Sequence, residues 1–177
     1  MAAQSETLSP ALPTDIEELA LDVLRKAVAA DLKLATAESC TGGLLASLLT
    51  DVEGCGHCFE RGFVTYSDDS KVQLLGVPRE LLECGGAVSR DTAGAMAGGA
   101  LSQSAAHLAI AITGFAGPGE PGSESGLVYV AVIHRGQPAQ VSQYHFKSNS
   151  RGEVRIRTLR AALELLIEQL ERCGTKA

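Results

Sequence analysis

Residues 32–49 read LKLATAESCTGGLLASLL, and this stretch decides the fold. Positions 32–37 are a short apolar run of strand length. Glu38-Ser39-Cys40-Thr41-Gly42-Gly43 is a tight turn of small and polar residues, and 44–49 continues at helical spacing. A buried strand that passes through a turn straight into a helix opens an α/β unit. The alternation continues on both sides. Thr14 and Glu17 set out a T-x-x-E capping box behind Pro13. Ile16, Leu19, Ala20, Val23, Leu24, Ala27 and Val28 then recur at helical spacing and predict a helix over 14–30. A strand is expected at 63–66, a helix capped by Ser67 over 68–75, and a short helix opened by Pro78 over 79–83. Gly85-Gly86 breaks the chain before a small-residue helix over 91–105, in which Gly94, Gly98 and Gly99 allow close packing. A buried strand follows at 107–113, then a glycine-rich loop over 114–125. Strands at 126–134 and 139–146 pair antiparallel across Arg135-Gly136. A last helix at 152–171 turns Val154, Leu159, Leu163, Leu166, Ile167 and Leu170 inward. The reading is a single α/β domain over 13–173 with a mixed sheet, preceded by a loose lead over 1–12.

The bulk numbers agree with an ordinary globular chain. It has 177 residues, 45% hydrophobic and 20% charged, with a formal charge of −6. That excludes wholesale disorder. No apolar run is long enough to span a membrane, and the first residues carry no secretory signature. The acidic balance removes the usual electrostatic footprint of a nucleic-acid binder. Five cysteines, an odd number, read as reduced thiols of a cytoplasmic protein.

Three segments fall at the carboxyl ends of strands, where α/β sheets bind ligands. In the first, a hydroxyl and a thiol share a strand-to-helix turn with Gly42 and Gly43. Such a turn can present a nucleophile and an oxyanion hole together; equally, Ser39 or Thr41 can serve only as a helix cap. Cys40 opens a third option, a thiol nucleophile. In the second segment Ser67 and Lys71 lie four apart behind Tyr66. A lysine of depressed pKa can take a serine proton, whereas an exposed lysine on a helix surface does nothing of the kind. The third segment, Thr113-Gly114-Phe115-Ala116-Gly117-Pro118-Gly119, can cradle an anion or a carbonyl with its amides, or be a plain loop. It is neither a Walker loop nor a dinucleotide fingerprint. Arg151, Arg155, Arg157 and Arg160 are the one dense basic group, and the first two suit a phosphate pincer at a helix start. Cys55-Gly56-His57-Cys58 has the look of half a zinc site without the other half, so no metal is expected.

Taken together these segments resemble the C-terminal domain family of the competence-damage-inducible protein CinA, which includes the nicotinamide-nucleotide amidohydrolases (NMN deamidases). The carriers are Ala37-Glu38-Ser39-Cys40-Thr41-Gly42-Gly43, Val64-Thr65-Tyr66-Ser67 with Lys71, Leu75-Gly76-Val77, Gly86-Ala87-Val88-Ser89, Met96-Ala97 with Gly99-Ala100, and Thr113-Gly114-Phe115-Ala116-Gly117-Pro118. The resemblance covers roughly 14–171 and omits the family's N-terminal domain, so a stand-alone form is expected. It implies a three-layer αβα sandwich, a homodimer or higher homo-oligomer, and no cofactor. It further implies hydrolysis of nicotinamide mononucleotide to nicotinate mononucleotide and ammonia. Ser39 would be the nucleophile, Lys71 its base, and Tyr66 an assisting residue. Cys40, Thr41, Gly42, Gly43, Thr113, Gly114 and Gly117 would line the substrate site, with Arg151 and Arg155 at its phosphate. The chain departs from the family at Gly54-Cys55-Gly56, usually Gly-Ser-Ser or Gly-Ala-Ser. It departs again at 119–126, which lacks the usual Lys-Pro, and at Asn149-Ser150, often Gly-Asp. The loop change leaves a catalytically silent nucleotide-binding or regulatory module as the alternative.

Overall fold

A computed structural model describes residues 12–52, 54–117, 124–147 and 150–174. The loose lead expected at 1–12 and the loop stretch 118–123 lie almost wholly outside them. The described chain runs α1 (Thr14–Ala29), β1 (Leu34–Glu38), α2 (Leu44–Thr50), a short 3-10 turn (Gly56–Cys58), β2 (Phe59–Val64), α3 (Asp68–Leu75), α4 (Arg79–Gly85), α5 (Arg90–Ser102), β3 (Leu108–Gly114), β4 (Leu127–His134), β5 (Gln140–His145) and α6 (Arg151–Gly174). The five strands form one sheet in the order β2-β1-β3-β4-β5. β1 is parallel to both β2 and β3, while β3–β4 and β4–β5 are antiparallel. The sheet is mixed, as expected.

Period-two alternation splits the core into two layers. Leu34, Leu108, Ile110, Ile112, Val128, Val130 and Val132 face one side, where they pack with α1, α2 and α6. Ala35, Ala37, Ala109, Ala111 and Ala131 face the other, against α3, α4 and α5. Large branched residues meet the leucine-rich helices, and alanines meet the small-residue helix α5. The result is an αβα sandwich in a single domain. No helix among the described residues is long and apolar enough to cross a membrane.

Of the three α5 glycines, only Gly99 sits at a close approach. A Cβ there would lie 2.0 Å from the Leu75 carbonyl oxygen, whereas one at Gly98 would meet nothing within 4 Å. Ala is the better helix former by about 1 kcal/mol, so the two sites respond with opposite sign. Gly98→Ala is expected to raise stability by about 0.5–1 kcal/mol. Gly99→Ala is expected to lower it by about 2 kcal/mol, because a backbone carbonyl cannot move aside as a side chain can. Chemical denaturation midpoints of the two variants check the contrast.

Two local expectations need correction. Thr14 does not cap α1: the N-cap is Pro13, with no side-chain cap bond, so the capping box is not formed. β2 runs over Phe59–Val64 and not 63–66. As an edge strand it carries Glu60, Arg61 and Gly62, which hide any apolar alternation. Gly62 is there for space, since a Cβ would come 2.9 Å from Thr36 Oγ1 and 3.0 Å from Ala46 Cβ.

The three parallel strands end together. Glu38 stands beside Val64 on one side and Ile112 on the other. The turns that follow, at 39–43, 65–67 and 115–117, therefore converge on one rim. The chain leaves β1 toward β2 and returns from β2 to β3 on the opposite side of β1, so this rim is the topological switch point of the sheet.

Candidate active site

Ser39 is the first residue beyond β1. Its N–H donates to the Ile112 carbonyl at 3.0 Å, and the next strand is tied in by Thr65 N–H donating to the Glu38 carbonyl at 2.8 Å. Ser39 is 8% exposed, so its hydroxyl is within reach of a ligand but not bathed in solvent. The chain then turns through Gly42 and Gly43, both at positive φ (+65° and +90°), a region that side chains with a Cβ avoid. This is how the turn passes from β1 into α2 in so few residues.

Lys71 comes from a different element. Ser67 caps α3 by accepting from Ser70 N–H at 3.2 Å, as the sequence predicts. The Lys71 amine does not bond the Ser67 hydroxyl. From its place on α3, Lys71 reaches across to Ser39: Nζ lies 3.5 Å from Ser39 Oγ and donates to the carbonyls of Thr65 at 3.1 Å and Tyr66 at 3.4 Å. Lys71 is 1% exposed, which removes the exposed-surface option. Burial pushes its amine below the ordinary 10.5, opposed by Asp68, whose carboxylate is 3.9 Å away and half-exposed.

Around this pair stand the other candidates. Arg155 Nη2 donates to the Thr41 carbonyl, and its buried Nε has no partner among the described residues. It lies close to Gly42, where a Cβ would be 3.6 Å from Nη2. The buried Thr41 hydroxyl likewise lacks a partner. Arg151 is exposed, 3.5 Å from the Tyr66 hydroxyl. The Tyr66 ring itself is 67% exposed, so only its backbone carbonyl touches Lys71. Thr113 is buried, and its hydroxyl donates to the Ala87 carbonyl at 2.6 Å. Gly114 is explained by packing: a Cβ would come 2.7 Å from the Leu127 carbonyl oxygen. Gly117 lies beside Arg151, where a Cβ would be 3.7 Å from Arg151 Cβ. The structure separates the arginines: Arg157 pairs with Glu153 and Arg160 with Asp15, which leaves Arg151 and Arg155 at the rim.

A family model described as the CinA C-terminal domain matches residues 16–170. This chain belongs to the CinA C-terminal domain family. A "Putative competence-damage inducible protein" of Caldicellulosiruptor bescii is 42% identical over 159 residues, 88% of this chain and 37% of that protein. The competence/damage inducible protein CihA from Agrobacterium tumefaciens has a solved structure that superposes with a TM-score of 0.86 at 45% identity, covering 90% of this chain and 98% of that one. A CinA superfamily protein from Escherichia coli gives 0.82 at 38%, covering 87% and 90%. The chain spans less than half the length of the curated relatives it matches.

In this CinA C-terminal domain the residue that sequence reasoning missed is Glu38. It is fully buried. Its Oε2 accepts from the N–H groups of Gly43 and Leu45, both at 3.1 Å, and its Oε1 from Ala46 at 2.8 Å. The amides of Gly43, Leu45 and Ala46 therefore point at a protein carboxylate and are not open to a ligand, so an oxyanion hole in this turn cannot be built from them. The remaining amides of the turn follow the same accounting. Gly42 N–H goes to Ser39 O and Leu44 N–H to Thr41 O. Among the described residues, the amides of Cys40 and Thr41 carry no such bond. The signal was present as an acidic residue closing an otherwise apolar strand, a position tolerated only when the charge is paired. Burial pushes the Cys40 thiol up to about 11, which argues against the thiol nucleophile. Cys55 and Cys58 belong to no cluster of three or more His, Cys, Asp or Glu among the described residues.

Proposed function

We propose that this chain hydrolyses the carboxamide of nicotinamide mononucleotide, giving nicotinate mononucleotide and ammonia, with Ser39 as nucleophile and Lys71 as base. One observation carries the reading: a fully buried lysine amine, its pKa lowered by that burial, 3.5 Å from the hydroxyl of a turn serine. In its neutral form Lys71 takes the Ser39 proton as Oγ attacks the carboxamide carbon. The carbonyls of Thr65 and Tyr66 hold the amine in place. The amides of Cys40 and Thr41, which make no backbone–backbone bond, are the donors of the turn left for the tetrahedral oxyanion, where one such donor is worth on the order of 100-fold or more. The Lys71 ammonium then returns its proton to the departing nitrogen, and ammonia leaves. A water activated by the same amine opens the Ser39 ester. Arg151 and Arg155 flank the rim on the side where a ligand phosphate would add charge-assisted bonds. The exposed apolar side chains Val64, which ends edge strand β2, and Tyr66, two residues beyond it, support the homodimer that the resemblance implies.

The test is ammonia release from nicotinamide mononucleotide, with nicotinate mononucleotide measured alongside. Only neutral Lys71 accepts a proton. The value of kcat/KM is therefore expected to rise about tenfold per pH unit on the acid side and to level off above the amine's lowered pKa, before the ordinary 10.5. Binding without ammonia release would replace this reading with the silent nucleotide-binding module. A flat acid limb would remove Lys71 as base.

A further inference from the structure

The turn Cys55-Gly56-His57-Cys58 carries chemistry that the proposed reaction does not use. We propose that Cys55 and Cys58 are a modification site that closes reversibly into an intramolecular disulfide by exchange with a small-molecule disulfide such as oxidised glutathione. Both thiols are free in the structure. Cys58 N–H donates to the Cys55 carbonyl at 3.2 Å, so the four residues form a closed turn. Turns of this kind bring their end Cα atoms within about 7 Å, and disulfides span about 4.4–6.8 Å between Cα atoms. The Cys58 thiol is already folded back on the first cysteine, donating to the Cys55 carbonyl at 3.0 Å. Forming the bond gives up that weak thiol contact, while the carbonyl keeps the Cys58 amide.

Exposure sets the order of events. Cys58 is 2% exposed, in the core beside α1 and α2. Cys55 is only partly buried. Cys55 therefore meets the reagent first. Its thiolate attacks one sulfur of the small disulfide, forming a mixed disulfide and releasing one small thiolate. Cys58 then loses its proton and attacks Cys55 Sγ, expelling the second small thiolate. Two protein thiols are oxidised, one small disulfide is reduced to two thiols, and the two protons pass to the released thiolates. Burial raises the pKa of the Cys58 thiol, so the second step is the slow one and quickens as pH rises.

The site is tested by incubating the whole chain with oxidised glutathione, quenching, denaturing, alkylating and digesting with trypsin. Cleavage after Lys33 and Arg61 yields peptide 34–61, which holds Cys40, Cys55 and Cys58. The expected product is this peptide two hydrogen atoms lighter, alkylated once at Cys40, and restored to three alkylations by dithiothreitol. Cys58→Ser is expected to stop at one glutathione on Cys55. Cys55→Ser, a near-isosteric change at a position only partly buried against the core, is expected to abolish the mass loss. Peptide 34–61 keeping three alkylatable thiols while exposed Cys84 becomes glutathionylated would overturn the proposal. So would a stable mixed disulfide at Cys55 in the unmutated chain.

Discussion

Lys71→Met is expected to cut the rate of the proposed deamidation by at least about 10³-fold while leaving stability within about 1 kcal/mol of the parent. The two halves rest on different atoms. Activity falls because the methionine thioether is not basic enough to take the Ser39 proton, and general-base loss in a serine mechanism is not compensated by the remaining groups. Stability barely moves because two contributions oppose each other. Removing a buried amine relieves its desolvation penalty. It also leaves the Thr65 and Tyr66 carbonyls without their donor, at about 1 kcal/mol or more for each one kept from water. The Tyr66 side of that loss is softened because this residue is exposed. The pH dependence separates the variant from a merely damaged protein. The folded-state pKa of Lys71 lies below 10.5. Between that lowered value and 10.5 the unfolded chain binds more protons, and parent stability climbs with pH; below the lowered value the penalty is felt in full. Lys71→Met is expected to lose this climb. Ser39→Ala is the companion, inactive to a similar degree but keeping the climb. Ammonia release unchanged in Ser39→Ala would end the nucleophile assignment, and a Lys71→Met protein that unfolds would leave Ser39→Ala as the deciding variant.

What the sequence revealed is what local patterning controls. The strand–turn–helix of 32–49 is legible because a short apolar run of strand length gives way to helical spacing across a glycine pair. Ser67 announces α3 because a serine before two aspartates and a turn of helix is a cap with few rivals. Three things were hidden. β2 lies at the sheet edge, and its exposed face masks it. Thr14 was read as a cap although Pro13 already begins the helix. Above all, the spacing of Ser39 from Lys71 is 32 residues. The nearer serine at 67 offered a tempting i,i+4 partner, and only the convergence of two strand ends decides between them. Chemistry built from neighbouring strands is invisible to any window along the chain. The resemblance supplied that pairing because it carries three-dimensional information that spacing lacks.

Glu38→Ala is expected to destabilise the fold by about 4 kcal/mol, and Glu38→Gln by about 2–3 kcal/mol. The carboxylate is buried and accepts three N–H groups through two oxygens. Alanine takes the acceptor from all three donors, and charge-assisted bonds of this kind are worth about 1.5–3 kcal/mol each before partial relaxation. Glutamine keeps the shape. Its single oxygen can serve Gly43 and Leu45 in the Oε2 position, but its NH2 group then faces the Ala46 N–H, donor against donor. The lost negative charge at the start of α2 adds about 0.3–1 kcal/mol. Thermal or denaturant melts of the two variants read these values, and a Gln variant as stable as the parent would show that the carboxylate is not what holds α2. Activity in Glu38→Gln is expected to drop more than its stability alone accounts for, by about 10–100-fold even where it is fully folded. The reason is positional. Glu38 anchors Gly43 and the first turn of α2 on one side, the Ile112 carbonyl holds Ser39 N–H on the other, and Arg155 grips the Thr41 carbonyl between them. The Ser39 turn is thus suspended from three points. Releasing one lets Ser39 Oγ drift from an amine that is already 3.5 Å away, and proton transfer tolerates little further distance.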